Sequence, residues 1–285
     1  MKIYGRSKEK SDQKIYATMS PYYRMCTRWN ETKILSANLK PGNSPEPKIP
    51  FPFKKRALYY LSRYTIHTTM DQRIITAFFL ILACAIALSF FAHIFAVFPF
   101  DLKISHELQE EKNPVFALSM QGVSAIGDTW IGIVIVVAVS AFFIARGQLL
   151  EAGFILATLS SFVLISLVKV LVARPRPPDF FQDPSGFLES INQYSFPSGH
   201  VLFFVVFFGF IAYLAWRNQT GLARFIVIAV CSALVILIAP SRIYLGAHWA
   251  SDVLGSYIIG ILWLFVLILG YQLVSRKRTT GLMDD

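Results

Sequence analysis

Six apolar segments, near residues 74–98, 129–147, 152–172, 200–216, 225–240 and 251–274, constrain this chain more than any other feature. Coiled into helices that rise about 1.5 Å per residue, each can cross roughly 30 Å of hydrocarbon, although the second, fourth and fifth need interfacial residues to complete the crossing. A mean hydropathy of +0.52 and a charged fraction of 15% are too apolar for an ordinary soluble domain. The expected fold is all-α: a polytopic membrane helical bundle with six transmembrane helices. Residues 114–127 (PVFALSMQGVSAIG) are too short to cross and read as an interfacial or re-entrant helix between the first two spans.

The net charge of +10 lies wholly ahead of the first span. Residues 1–73 hold 15 Lys and Arg against 5 Asp and Glu, and the remainder holds 12 of each kind. A basic flank beside a membrane anchor is drawn to anionic headgroups, so the expected partner is the lipid bilayer and not nucleic acid. Three regions follow: a basic extension over 1–73, largely disordered or lying on the membrane surface; the six-span bundle over 74–275; and a short cytoplasmic tail over 276–285. The first apolar core begins only at Ile74, too late for a secretory signal. Cys26, Cys84 and Cys231 are too scattered for a disulfide framework or a zinc site.

Loop charges orient the bundle. With the basic N-terminus inside, Arg146, Arg217, Arg224 and the RKR at 276–278 also fall inside, so both chain ends are expected in the cytoplasm. Arg174, Arg176 and Arg242 then sit in outer loops against the rule, and they need another reason to be there.

That reason is a set of three polar clusters at the outer ends of the spans, where charge is costly and marks a site. In KVLVARPRP (169–177), a helix would put Lys169 and Arg176 on one face two turns apart, with Pro177 ending it, and two cations on one face suit a phosphate. Snorkelling of Lys169 and headgroup anchoring by the arginines is the bland alternative. In PSGH (197–200), Ser198 and Gly199 open a helix whose free N–H groups attract an anion, with His200 in the first turn beside it. In SRIYLGAHWASD (241–252), His248 and Asp252 stand four residues apart, so the carboxylate can accept the ring N–H and leave the other nitrogen free as a nucleophile. Arg242 adds a guanidinium with bidentate phosphate geometry.

Taken together, the motifs resemble the signature of the type-2 phosphatidic acid phosphatase superfamily, which includes membrane lipid phosphate phosphatases and undecaprenyl-diphosphate phosphatase-like enzymes. Lys-x6-Arg-Pro is present as Lys169, Arg176 and Pro177; Pro-Ser-Gly-His as Pro197 to His200; and Ser-Arg-x5-His-x3-Asp as Ser241, Arg242, His248 and Asp252. The likeness covers roughly residues 115–275. It implies that His248 attacks phosphorus, that Asp252 orients it, and that His200 protonates the leaving oxygen and then helps activate water. It further implies that Lys169, Arg176, Ser198, Gly199 and Arg242 bind the phosphate oxygens, and that no metal or other cofactor is required. The expected substrate is a membrane lipid phosphate or diphosphate of the phosphatidic acid, phosphatidylglycerol phosphate, undecaprenyl diphosphate or lipid A type. The site would face the extracytoplasmic side of a bacterial inner or plasma membrane.

Three rivals have distinct signatures. A transporter would place its charges near the bilayer midplane, and here they gather at span ends. A non-catalytic lipid-phosphate-binding relative would bind without turnover, and a vanadium haloperoxidase would oxidise halide. Outside the motifs, His93 and His106 read as structural, Asp128 as a helix cap, and Glu151 as a favourable charge at a helix start.

Overall fold

A computed structural model describes residues 72–177 and 193–281, with side chains up to residue 276. The basic extension expected over 1–73 lies outside the described residues apart from Gln72 and Arg73, as do Cys26 and the last four residues of the tail. Helices follow one another: α1 Gln72–Ile94, α2 Pro99–Gln109, α3 Pro114–Ile126, α4 Thr129–Ala145, α5 Leu149–Ala157, α6 Ser160–Val172, α7 Gly199–Asn218, α8 Gly221–Tyr244 and α9 Ala250–Gly281. Among the described residues the one element of β pairing is a single antiparallel bridge between Pro175 and Tyr194.

Five helical stretches are long and apolar enough to cross a membrane: Gln72–Ile94, Leu149–Val172, Gly199–Asn218, Gly221–Tyr244 and Ala250–Arg276. The remaining expected span, 129–147, is the 17-residue α4, which reaches spanning length only together with α3, from which it is bent by 63°. The short segment at 114–127 is α3, capped at its start by the Asn113 side chain, which accepts from the Val115 N–H at 2.9 Å. Residues 101–112 are mostly helical, since Pro99 and Asp101 begin α2; the Asp101 carboxylate accepts the Phe98 N–H at 3.1 Å.

Burial ranks the helices. In α7, 56% of the most apolar window is buried, against 6% in α1 and 11% in α8, which makes α7 the centre of the bundle. Its sequence explains why, because VLFFVVFFGF is apolar on every face and presents rings all round. Phe203 stacks on Phe207 at 5.5 Å and on Phe162 of α6 at 5.2 Å. Lipid tails are as apolar as these rings, so the gain comes from close packing and not from removal from water.

One helix ends earlier than the spacing predicts. The α6 helix stops at Val172, where Ala173 takes a left-handed conformation at φ 49° and its N–H bonds the Lys169 carbonyl at 2.8 Å. Pro175 is the cause, since a proline disfavours helix at the residue before it. Lys169 and Arg176 therefore do not share a helical face: Lys169 lies on α6, and Arg176 lies on an extended segment whose Arg174 carbonyl accepts the Ser195 N–H at 2.8 Å. This pairing brings Tyr194 and Ser195 alongside Pro175 and Arg174. Successive antiparallel helices then gather the C-terminal ends of α6 and α8 and the N-terminal ends of α7 and α9 at one pole of the bundle.

Candidate active site

At that pole His248 is buried in the turn between α8 and α9. Its Nδ1 lies 2.8 Å from the Ser195 carbonyl oxygen, and because a carbonyl only accepts, Nδ1 carries the proton and Nε2 keeps its lone pair. The carboxylate expected to hold this ring stands further off, with Asp252 Oδ2 at 3.7 Å. Asp252 spends its oxygens elsewhere: Oδ2 accepts the Trp249 N–H at 2.9 Å and Oδ1 accepts from Arg174 at 2.5 Å. The orienting acceptor is thus a backbone carbonyl, and the nearest Asp252 oxygen lies beyond hydrogen-bond distance of the ring. Burial first, and then the nearby cations Arg176, Arg242 and Lys169, hold the His248 imidazole well below its usual 6.5, so the ring is neutral at pH 7.

The five expected phosphate-binding residues also converge. Lys169 and Arg242 are buried, and Arg176 donates from Nη1 to the Ala247 carbonyl at 2.9 Å, one residue from the nucleophile candidate. Burial draws the Arg176 guanidinium down to about 10, with Asp252 opposing the shift, so it stays charged at neutral pH. Arg242 donates to the Ser124 hydroxyl on α3, while its Nε is buried with no partner among the described residues. Ser198 occupies the N-cap of α7; its N–H donates to the Ser256 hydroxyl at 2.7 Å, and its own Oγ is buried with no partner among the described residues. A Cβ at Gly199 would meet only the Ile165 side chain, at an ordinary 3.6 Å, so protein packing does not demand glycine there.

His200 sits on the more open side. Its Nε2 is 3.3 Å from Asp128 Oδ1, at the elbow between α3 and α4. Asp128 does occupy the N-cap position of α4, but its side chain makes no capping bond and reaches the histidine instead. A Cβ on neighbouring Gly127 would come within 2.5 Å of the His200 ring, so glycine is what lets the elbow close on it. The structural readings of the other groups fit their surroundings: His93 Nδ1–H donates to the Val172 carbonyl at 2.9 Å, and Glu151 accepts from the Tyr271 hydroxyl at 2.8 Å. Among the described residues no group of three or more His, Cys, Asp or Glu is arranged to hold a metal ion.

Residues 149–276 match the family model described as the PAP2 superfamily. Over 209 residues the chain is 29% identical to phosphatidylglycerophosphatase B of Bacillus subtilis, covering 70% of this chain and 95% of that relative. Over residues 149–276 the chain resembles the PAP2 superfamily. It is also 31% identical over 103 residues to an undecaprenyl-diphosphatase of Sulfolobus acidocaldarius, covering 34% of this chain and 44% of that one. The crystal structure of a transmembrane PAP2-type phosphatidylglycerolphosphate phosphatase from Bacillus subtilis shares the fold, with a TM-score of 0.57 at 24% identity over 67% of this chain and 93% of that one.

Beside the PAP2 signature residues stand three that the motifs do not contain. Arg174 is wholly buried and every arm of its guanidinium is used: Nε donates to the Ala96 carbonyl at 3.0 Å, Nη1 to the Ser251 hydroxyl at 2.7 Å and to Asp252, and Nη2 to Asp101 at 2.8 Å. Asp101 in turn accepts the Ser251 N–H at 2.8 Å and its hydroxyl at 2.7 Å. Losing one member of such a buried pair leaves an uncompensated charge, at a cost of about 3–5 kcal/mol. Arg174 had one sequence signal, as a cation in an outer loop. Asp101 and Ser251 had none, because what joins them to Arg174 is tertiary contact across a sequence separation of more than 70 residues.

Proposed function

We propose that this PAP2-superfamily hydrolase removes phosphate from a membrane lipid phosphate or lipid diphosphate through a phosphohistidine formed on His248. One observation carries the reading: a neutral imidazole with a fixed tautomer and a free Nε2 lies among Lys169, Arg176 and Arg242, beside the unpartnered Ser198 Oγ and Arg242 Nε. Buried polar groups without protein partners ask for a ligand, and three cations with a helix N-terminus ask for an anion. Gly199, not needed for packing, leaves room for a phosphate oxygen at that N-terminus.

In the first step Nε2 attacks phosphorus, the bond to the lipid oxygen breaks, and His200 gives its proton to that leaving oxygen. In the second step His200 takes a proton from water, the resulting hydroxide attacks the phosphohistidine, and the N–P bond breaks to release inorganic phosphate. Lys169, Arg176, Arg242, Ser198 and the Gly199 N–H neutralise the charge that builds on the non-bridging oxygens. Asp252 compensates the positive charge that His248 gains on phosphorylation.

The lipid class is supported by the span ends that carry the site and by a cavity of about 580 Å³ between α1, α6 and α9, lined by Phe78, Leu82, Phe90, Leu164, Leu262 and Trp263 among others. It reaches His93 and Val172 at the level of the site, and an alkyl chain suits its apolar wall. The relatives, by their names, act on phosphatidylglycerophosphate and undecaprenyl diphosphate; phosphatidic acid and lipid A phosphates share the same chemistry. We place both chain ends in the cytoplasm and the site on the opposite face, and a cytoplasmic reporter fused after Asp285 is expected to be active. The test of function is phosphate release by detergent-purified protein from these four lipids in EDTA, with His248→Ala alongside. Release that disappears in the variant is expected; binding without release from any lipid would favour a non-catalytic lipid-phosphate binder.

A further inference from the structure

Asp101 belongs to α2, outside the 149–276 segment that matches the PAP2 model, yet it is buried against the heart of the site. It joins a four-membered network in which every partner is inaccessible to solvent: Asp101, Arg174, Ser251 and Asp252. The Arg174 guanidinium lies 5.1 Å over the Phe98 ring, so the residues that start α2 also clamp the cation from its flat face. The network fills the valences of Asp252 from behind and leaves Oδ2 as the oxygen nearest His248, at 3.7 Å.

We propose that Asp101 and Arg174 are a positioning pair for the nucleophile: α2 holds Arg174, Arg174 holds Asp252, and Asp252 sets the charge felt by His248. This rests on the phosphohistidine reading above. Neither residue touches substrate. Their effect comes from geometry and charge, since a guanidinium with five directed donors fixes a carboxylate's orientation in a way that a lysine ammonium does not. An Asp–Arg–Asp set also carries one net negative charge, and its Asp252 stands 3.7 Å from the His248 ring. The groups facing His248 are Lys169 from α6, Arg176 from the segment after it, His200 from α7, Arg242 from α8 and Asp252 from α9, with Asp101 and Arg174 behind and Asp128 beyond His200. Removing the Asp101 charge makes this field more positive, so protonation of His248 becomes harder and the acid limb of kcat/KM moves to lower pH.

The experiment compares wild type with Asp101→Asn, Arg174→Lys and Ser251→Ala in detergent, following phosphate release against pH and folding by thermal unfolding. Ser251→Ala deletes only the hydroxyl shared by Arg174 and Asp101 and serves if Asp101→Asn does not fold. Expected are a kcat lower by about tenfold in Asp101→Asn and Arg174→Lys and by about threefold in Ser251→Ala, with KM within twofold of wild type. The acid limb of Asp101→Asn is expected at lower pH. Folded Asp101→Asn or Ser251→Ala with wild-type kcat and an unmoved acid limb would overturn the proposal, as would losses confined to KM. His248→Ala separates the levels: if it retains activity, the phosphohistidine reading fails; if it is dead while the Asp101 and Ser251 variants behave as wild type, only the positioning pair fails.

Discussion

His248 and His200 lie near one another at one pole of the bundle, in opposite kinds of surroundings. His248 is 2% exposed, donates to a backbone carbonyl and is backed by Asp252, which is itself held by Arg174 and the Trp249 N–H. The His200 side chain is 19% exposed, and its partner Asp128 is 60% exposed at an elbow between two helices. A nucleophile gains from a fixed direction and a dry environment, because its lone pair must meet phosphorus at a set angle. An acid that protonates a departing lipid oxygen and then draws in water needs access to both. The difference teaches that the two steps proposed above would draw on a tightly held half and an open half of the site.

Four outcomes break or sharpen that contrast. His248→Ala is expected to lower kcat by at least about 10³-fold for every substrate, because no other group supplies the lone pair; phosphate release is the measurement. His200→Ala is expected to cost about 10²–10⁴-fold on a lipid phosphate but far less on p-nitrophenyl phosphate, whose leaving group needs no proton. Equal losses on both substrates would erase the distinction between the halves. Asp128→Asn is expected to lower kcat by only about threefold, since the pair it makes with His200 is long and solvated. Smallest in amplitude, the rate profile against pH should show no loss from His248 down to pH 6.5: its folded value lies well below 6.5, so the neutral nucleophile persists as pH falls to that point. An acid limb in kcat/KM above 6.5 that is absent from Asp101→Asn would contradict this ordering.

How much of this was legible in the sequence depends on the range of the interaction. The apolar runs gave the helices, and three short motifs gave the eight candidate site residues, because the residues of each motif stand close together in the chain. The pairing of His248 was misread for a physical reason: a spacing of four puts Asp252 within reach, but the Ser195 carbonyl comes closer through an extended segment that no pattern announces. Pro177 was the expected stop of α6, but the helix ends at Val172 because Pro175 comes first, a signal that the Lys169–Arg176 spacing masked. Asp128 carried the signature of a cap, and only the 63° bend between α3 and α4 turns it towards His200. Asp101 and Ser251 became visible only when α2 was packed against α9.

The central claim is a covalent phosphate on His248. Protein turning over a 32P-labelled lipid phosphate, quenched in alkali and digested, is expected to yield label on the peptide containing His248 that survives base and is lost in mild acid, with none in His248→Ala. Turnover at full rate with no label trapped there, or label retained in His248→Ala, would contradict it.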